Sequence, residues 1–158
     1  MRQRSKTLTP TEIKKKIYHY CAYQERSHQE VKNKLFDLGL FSNDVDELLS
    51  HLITEGYLNE ERFAKAFAGG KFRVKNWGRN KIIQELEAKG LTSNCIKTGL
   101  KEIDEADYLK TLESLITKKA GLIEEENIFV KRDKLAKYAI QKGFEPDLVW
   151  RVIKEIIT

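Results

Sequence analysis

Proline is almost missing from this chain. Only Pro10 and Pro146 occur in 158 residues, so few segments are barred from helix by a fixed φ or an absent N–H. Cysteine is as scarce. Cys21 and Cys95 lie far apart and form no CxxC pair, which excludes a disulfide framework and favours a reducing compartment. No apolar run approaches membrane-spanning length. The opening MRQRSKTLTP is basic with no apolar stretch behind it. A soluble, cytoplasmic protein with no membrane partner is expected. Strand-type alternation is also rare, and KFRVK (71–75) is the one stretch that shows it.

Catalytic signatures are absent as well. His19, His28 and His51 form no HExxH and no His/Cys pair at metal-ligand spacing. No P-loop, GxGxxG or nucleophile elbow is present, and Gly69-Gly70 alone cannot cradle a phosphate. Acidic pairs such as Asp44/Asp46 and Glu60/Glu61 suit helix N-termini, where carboxylates complement the macrodipole. The reading is a non-enzyme with no cofactor and no metal.

What the chain does have is charge. Charged residues make up 34% of it and hydrophobic residues 41%, a balance that suits much helical surface around packed cores. The net charge of +5 leans weakly toward an anionic partner. Its distribution says more. Residues 1–26 carry seven basic and two acidic side chains, and residues 59–81 carry the same. Residues 27–58 and 104–130 are each acidic by four, 82–103 are neutral, and 131–158 are basic by three.

The chain also repeats itself. SHQEVKNKLFDLGLFSNDVDELLSHL (27–52) aligns without a gap on GRNKIIQELEAKGLTSNCIKTGLKEI (78–103) and on KRDKLAKYAIQKGFEPDLVWRVIKEI (131–156). Val31, Ile82 and Leu135 fall together, as do Leu35, Leu86 and Ala139. Val31, Leu35 and Leu38 follow i, i+4, i+7, so one helix face is buried. Gly39, Gly90 and Gly143 then end that helix, since glycine takes the left-handed position without a Cβ penalty. A second helix follows each, with Pro146 at its first position in the third copy.

A further helix precedes each pair. Thr9 with Glu12, and Ser27 with Glu30, form capping boxes, while Asn59 and Asp104 supply caps. The expected fold is therefore all-α, with three tandem three-helix repeats in an elongated, curved chain. Residues 1–8 form an arm, and the repeats span 9–58, 59–103 and 104–158. AGLIEEE (120–126) reads as a loop. KFRVK reads as the end of a helix through Phe63, Phe67, Gly70 and Val74, closing near Val74.

One stretch stands out as a candidate contact surface. GGKFRVKNWGRNK (69–81) holds Lys71, Arg73, Lys75, Arg79 and Lys81, no acid, and Trp77 among them. Such a strip suits phosphate or acidic protein surface. The plainer reading is a solvated basic helix end, because cations suit a helix C-terminus. The six tyrosines and Trp150 read first as packing residues, although exposed rings could stack on bases.

GYLNEERFAKAF (56–67), then Trp77-Gly78-Arg79 and QELEAKGL (84–91), resemble the central signature of RecX proteins, and RSHQEVKNKL (26–35) resembles that family's first-repeat signature. The resemblance runs from about Thr9 to Ile157. Matched positions are Arg26, Ser27, Glu30 and Leu35; Gly56, Tyr57, Leu58, Arg62 and Phe63; and Gly78, Glu85, Leu86, Lys89 and Gly90, most of them fold-bearing. The chain departs from the pattern at Gly69-Gly70, where a more helix-forming stretch is expected. The resemblance implies three tandem three-helix units and no catalysis. It also implies a monomer whose partner is the RecA recombinase filament, with single- or double-stranded DNA a further possible contact. The expected effect is reduced ATP hydrolysis, strand exchange and coprotease activity. The alternative is a helix-turn-helix DNA binder. Against it, the first would-be recognition helix, SNDVDELLSHL, holds three acids and no Lys or Arg. Lys97, Lys101, Arg151 and Lys154 keep that reading open for the later copies.

Overall fold

The computed structural model describes residues 7–158, so most of the expected arm at 1–8 lies outside the described residues. Among them are nine α-helices and no strand: α1 (Pro10–Tyr23), α2 (His28–Asp37), α3 (Ser42–Thr54), α4 (Glu60–Lys75), α5 (Arg79–Ala88), α6 (Ser93–Leu100), α7 (Glu105–Leu122), α8 (Ile128–Gln141) and α9 (Pro146–Ile156). No helix among these residues is long and apolar enough to cross a membrane.

Local chemistry sets the helix boundaries. Glu12 N–H donates to Thr9 Oγ1, Glu30 N–H to Ser27 Oγ, Arg62 N–H to Asn59 Oδ1 and Asp107 N–H to Asp104 Oδ2. Each bond satisfies one of the orphan donors of a first turn. Thr92 and Asn127 cap α6 and α8 in the same way. Gly39, Gly90 and Gly143 all have positive φ, between 82° and 103°. The residue after each closes the same bond, from Leu40, Leu91 or Phe144 N–H to the carbonyl of Leu35, Leu86 or Ala139, always 3.2 Å. The repeat is thus one hydrogen-bonded turn used three times.

One segment ends where expected and another differs. α4 crosses Gly69-Gly70 unbroken, includes KFRVK, and stops on Asn76, which takes a left-handed conformation with φ 56°. Gly69 and Phe72 are buried there, so tertiary packing outweighs the two glycines' poor helix propensity. α7 runs through residues 120–122, which the sequence alone assigns to a loop. Ala120 packs on the neighbouring core and carries the helix one turn further.

The equivalent positions Leu35, Leu86 and Ala139 are completely buried. The repeats do not, however, make three equal cores. α1–α3 enclose one cluster, built on Ile13, Ile17, Val31, Leu35, Val45 and Leu52 and closed by Leu58. α4–α9 share a second, larger cluster that runs from Phe63 to Ile153. Within it α4 and α6 meet through small residues. A Cβ on Gly99 would lie 2.7 Å from the Ala64 carbonyl oxygen, so only glycine permits that approach.

Candidate functional site

The basic strip divides between two jobs. Asn76 turns the chain at the end of α4, with Trp77 N–H donating to Lys71 O at 3.2 Å. This turn folds Trp77 back over α4. Its indole meets Phe67 edge-on at 6.3 Å between centroids. Lys71 Nζ lies 4.9 Å and Lys81 Nζ 4.5 Å from the Trp77 ring centre. Lys71 also lies 5.5 Å from the Phe67 ring centre, and Lys89 lies 5.7 Å from it. The result is a half-buried aromatic pair edged by ammonium groups, each attracted to a ring face. Lys75 is exposed at the helix end, while Arg73 is exposed with its guanidinium folded over Gly69. Among the described residues, no carboxylate pairs with Lys71, Arg73, Lys75 or Lys81.

Arg79 is used differently. Its guanidinium pairs with Glu145 at 2.9 Å and with Glu105, and lies 3.9 Å from the Tyr108 ring centre. Tyr108 is fully buried. Its hydroxyl accepts from Arg79 N–H and donates to Glu145. Burial first, and then the hydrogen bond to Glu145, push the Tyr108 phenol well above its ordinary pKa. Beside this network Gly78 N–H donates to Lys142 O and Asn80 N–H to Gly143 O, both at 2.8 Å. The start of α5 is therefore bonded to the turn between α8 and α9. Arg79 lies within the strip by sequence and within this joint by geometry.

The first and second helix triplets meet through polar groups. Arg62 pairs with Glu25 and donates to the Gly56 and Tyr57 carbonyls. His28 Nδ1 lies 2.8 Å from Glu60, and Lys89 Nζ lies 3.1 Å from Glu30. Lys89 thus links the aromatic pair to α2. The sequence places Phe67 on a helix face and Lys89 among the matched positions, but joins neither to Trp77. The one signal available is Asn76, a residue type that tolerates the left-handed turn.

No group of three or more His, Cys, Asp or Glu side chains that could hold a metal occurs among the described residues. The fold is a tandem helical repeat, and it carries a cation-edged aromatic pair on its surface. Its family follows from two matches, to the RecX second three-helix domain over residues 59–100 and the third over 105–153. The regulatory protein RecX of Chlorobium limicola is 30% identical over 135 residues, which is 84% of this chain and 80% of that one. That of Prosthecochloris aestuarii is 27% identical over 139 residues, covering 88% and 89%. The chain spans only 52% of the RecX of Oceanobacillus iheyensis, at 25% identity over 140 residues. The crystal structure of RecX from Lactobacillus salivarius superposes with a TM-score of 0.82 at 22% identity, over 92% of this chain and 95% of that one, which shows the shared fold. This chain belongs to the RecX family, whose relatives are named regulatory proteins.

Proposed function

We propose that this protein is a non-catalytic regulator of the RecA recombinase, binding the RecA–DNA filament and lowering its ATPase, strand-exchange and coprotease activities. Membership of the RecX family carries the reading, and the surface around Trp77 is consistent with it. A filament offers DNA phosphates and acidic side chains, and no carboxylate among the described residues pairs with Lys71, Arg73, Lys75 or Lys81. Trp77, half-buried and braced by Phe67, supplies an apolar anchor among these charges. Arg79 supports the surface from below by fixing the start of α5. The helix-turn-helix alternative fares worse: α6 spends one face on α4 through Gly99, and α3 carries three acids with no Lys or Arg.

The deciding experiment is RecA ATP hydrolysis on single-stranded DNA, with and without the purified, folded protein. Slower hydrolysis at up to stoichiometric protein is expected. Unchanged rates at saturating protein would reject the assignment.

A further inference from the structure

A groove of about 730 Å³ lies away from the strip, between α1 and α2 of the first triplet. Lys15, Lys16, Arg26 and Lys34 bring four cations to its walls, against one carboxylate, Glu12. Tyr20 and Tyr23 bring two rings. Arg26 is stacked on Tyr20 at 3.7 Å, with its Nε held by the Tyr20 carbonyl at 3.0 Å. Its terminal nitrogens make no hydrogen bond among the described residues. Lys34 Nζ lies 5.6 Å from the same ring centre. Tyr23, at the end of α1, is 74% exposed. No carboxylate among the described residues pairs with any of the four cations.

We propose that this groove is a binding site for single-stranded DNA, with phosphates held by Lys15, Lys16, Lys34 and the free edge of Arg26, and a base stacked on Tyr23. Cations that track a backbone beside rings that stack on bases are the combination that single-strand binders use. An acidic peptide would satisfy the cations but leave the open tyrosine ring without a purpose. From Glu12 to Tyr23 the helix rises about 17 Å, room for about five stacked nucleotides at the spacing along one strand. The charge layout orients the ligand: α3, on the same triplet, holds Asp44, Asp46 and Glu47 with no Lys or Arg and would repel it. The choice of DNA over RNA rests on the RecA reading above; the groove chemistry does not.

The test uses the full chain and labelled oligothymidylate without RecA, so its outcome is independent of the ATPase result. Lys15 and Lys16 are exposed, so Lys15→Ala with Lys16→Ala should leave the helical circular-dichroism spectrum and melting temperature unchanged. The slope of log affinity against log salt should flatten by about 0.7 for each phosphate no longer neutralised. Tyr23→Ala should weaken binding about fivefold to a hundredfold, and should have no effect on an abasic strand of the same length. Three results would overturn the proposal: no wild-type binding at low salt, a wild-type slope in the double variant, or a loss confined to polyglutamate with oligothymidylate unaffected. Tighter binding to oligouridylate than to oligothymidylate would overturn the choice of DNA.

Discussion

Trp77 touches Phe67 on one side and two ammonium groups on the other, so truncating it is felt twice. As a contact anchor, Trp77→Ala should cost about 2 kcal/mol or more of filament affinity. As a half-buried ring it should cost less stability than the about 3–5 kcal/mol of a fully buried tryptophan. Filament binding and urea melts on the same variant separate the two effects. A full core-sized loss of stability with unchanged affinity would make Trp77 purely structural. Lys71, Lys75 and Lys81 differ from Arg79 in the same assays. Changing the three lysines to alanine should weaken binding with little change in stability. Arg79→Ala should instead destabilise by roughly 1–3 kcal/mol, because it removes the guanidinium from Glu145 in a half-buried network and leaves that carboxylate to the Tyr108 hydroxyl. Tyr108 adds a pH signature. Its phenol is held protonated in the fold by burial and by Glu145, above its ordinary value of 10.0. The folded state therefore binds that proton more tightly than the unfolded chain. The associated stability is complete below about pH 10 and is lost as pH rises toward the folded value. Denaturation followed across alkaline pH should show that loss in the wild type and a smaller one in Tyr108→Phe.

At the scale of helices and turns, glycine has two distinct uses that an equilibrium melt can tell apart. Gly39 has φ 103° with open space around it, so alanine there meets only backbone strain, about 1–2 kcal/mol. Gly78 has an ordinary φ of −77°, yet a Cβ would collide with the backbone of Gly143 and Phe144. Gly78→Ala should therefore be the more damaging change, at or beyond the upper end of the about 1–3 kcal/mol seen for overpacking. An equal or smaller loss than for Gly39→Ala would contradict the close approach. The contrast also shows what can be read from sequence. The turns at Gly39, Gly90 and Gly143 are legible because they recur in register with Leu35, Leu86 and Ala139. The caps at Thr9, Ser27, Asn59 and Asp104 are legible because a cap acts within three residues. Gly78 is visible as a match, but its reason is not, because the backbone it meets lies about sixty-five residues away. Arg79 reads as one cation among five for the same reason: Glu145 and Tyr108 reach it only through the fold. The aromatic pair at the candidate site depends on a left-handed Asn76, and local spacing gives no sign of it.

For the whole molecule, the division of the core predicts how it comes apart. The sequence repeats three times, but burial does not. α4–α9 share one apolar cluster and are further joined by backbone bonds from Gly78 and Asn80. α1–α3 have their own cluster and face the rest mainly through Arg62, His28 and Lys89 paired with Glu25, Glu60 and Glu30. Partly exposed polar and charged pairs of this kind contribute about 0–1 kcal/mol each, far less than a shared core. The first triplet should therefore open at lower denaturant than the remainder, so that a single two-state transition does not describe the chain. Leu35→Ala, fully buried in the first cluster, should cost about 2–5 kcal/mol and move only the early transition. Leu86→Ala, equally buried in the second, should move only the late one. Native-state hydrogen exchange resolved by segment checks this directly. Equal protection of α2 and α5, with both substitutions lowering both together, would show that the polar junction couples the triplets as firmly as a common core does.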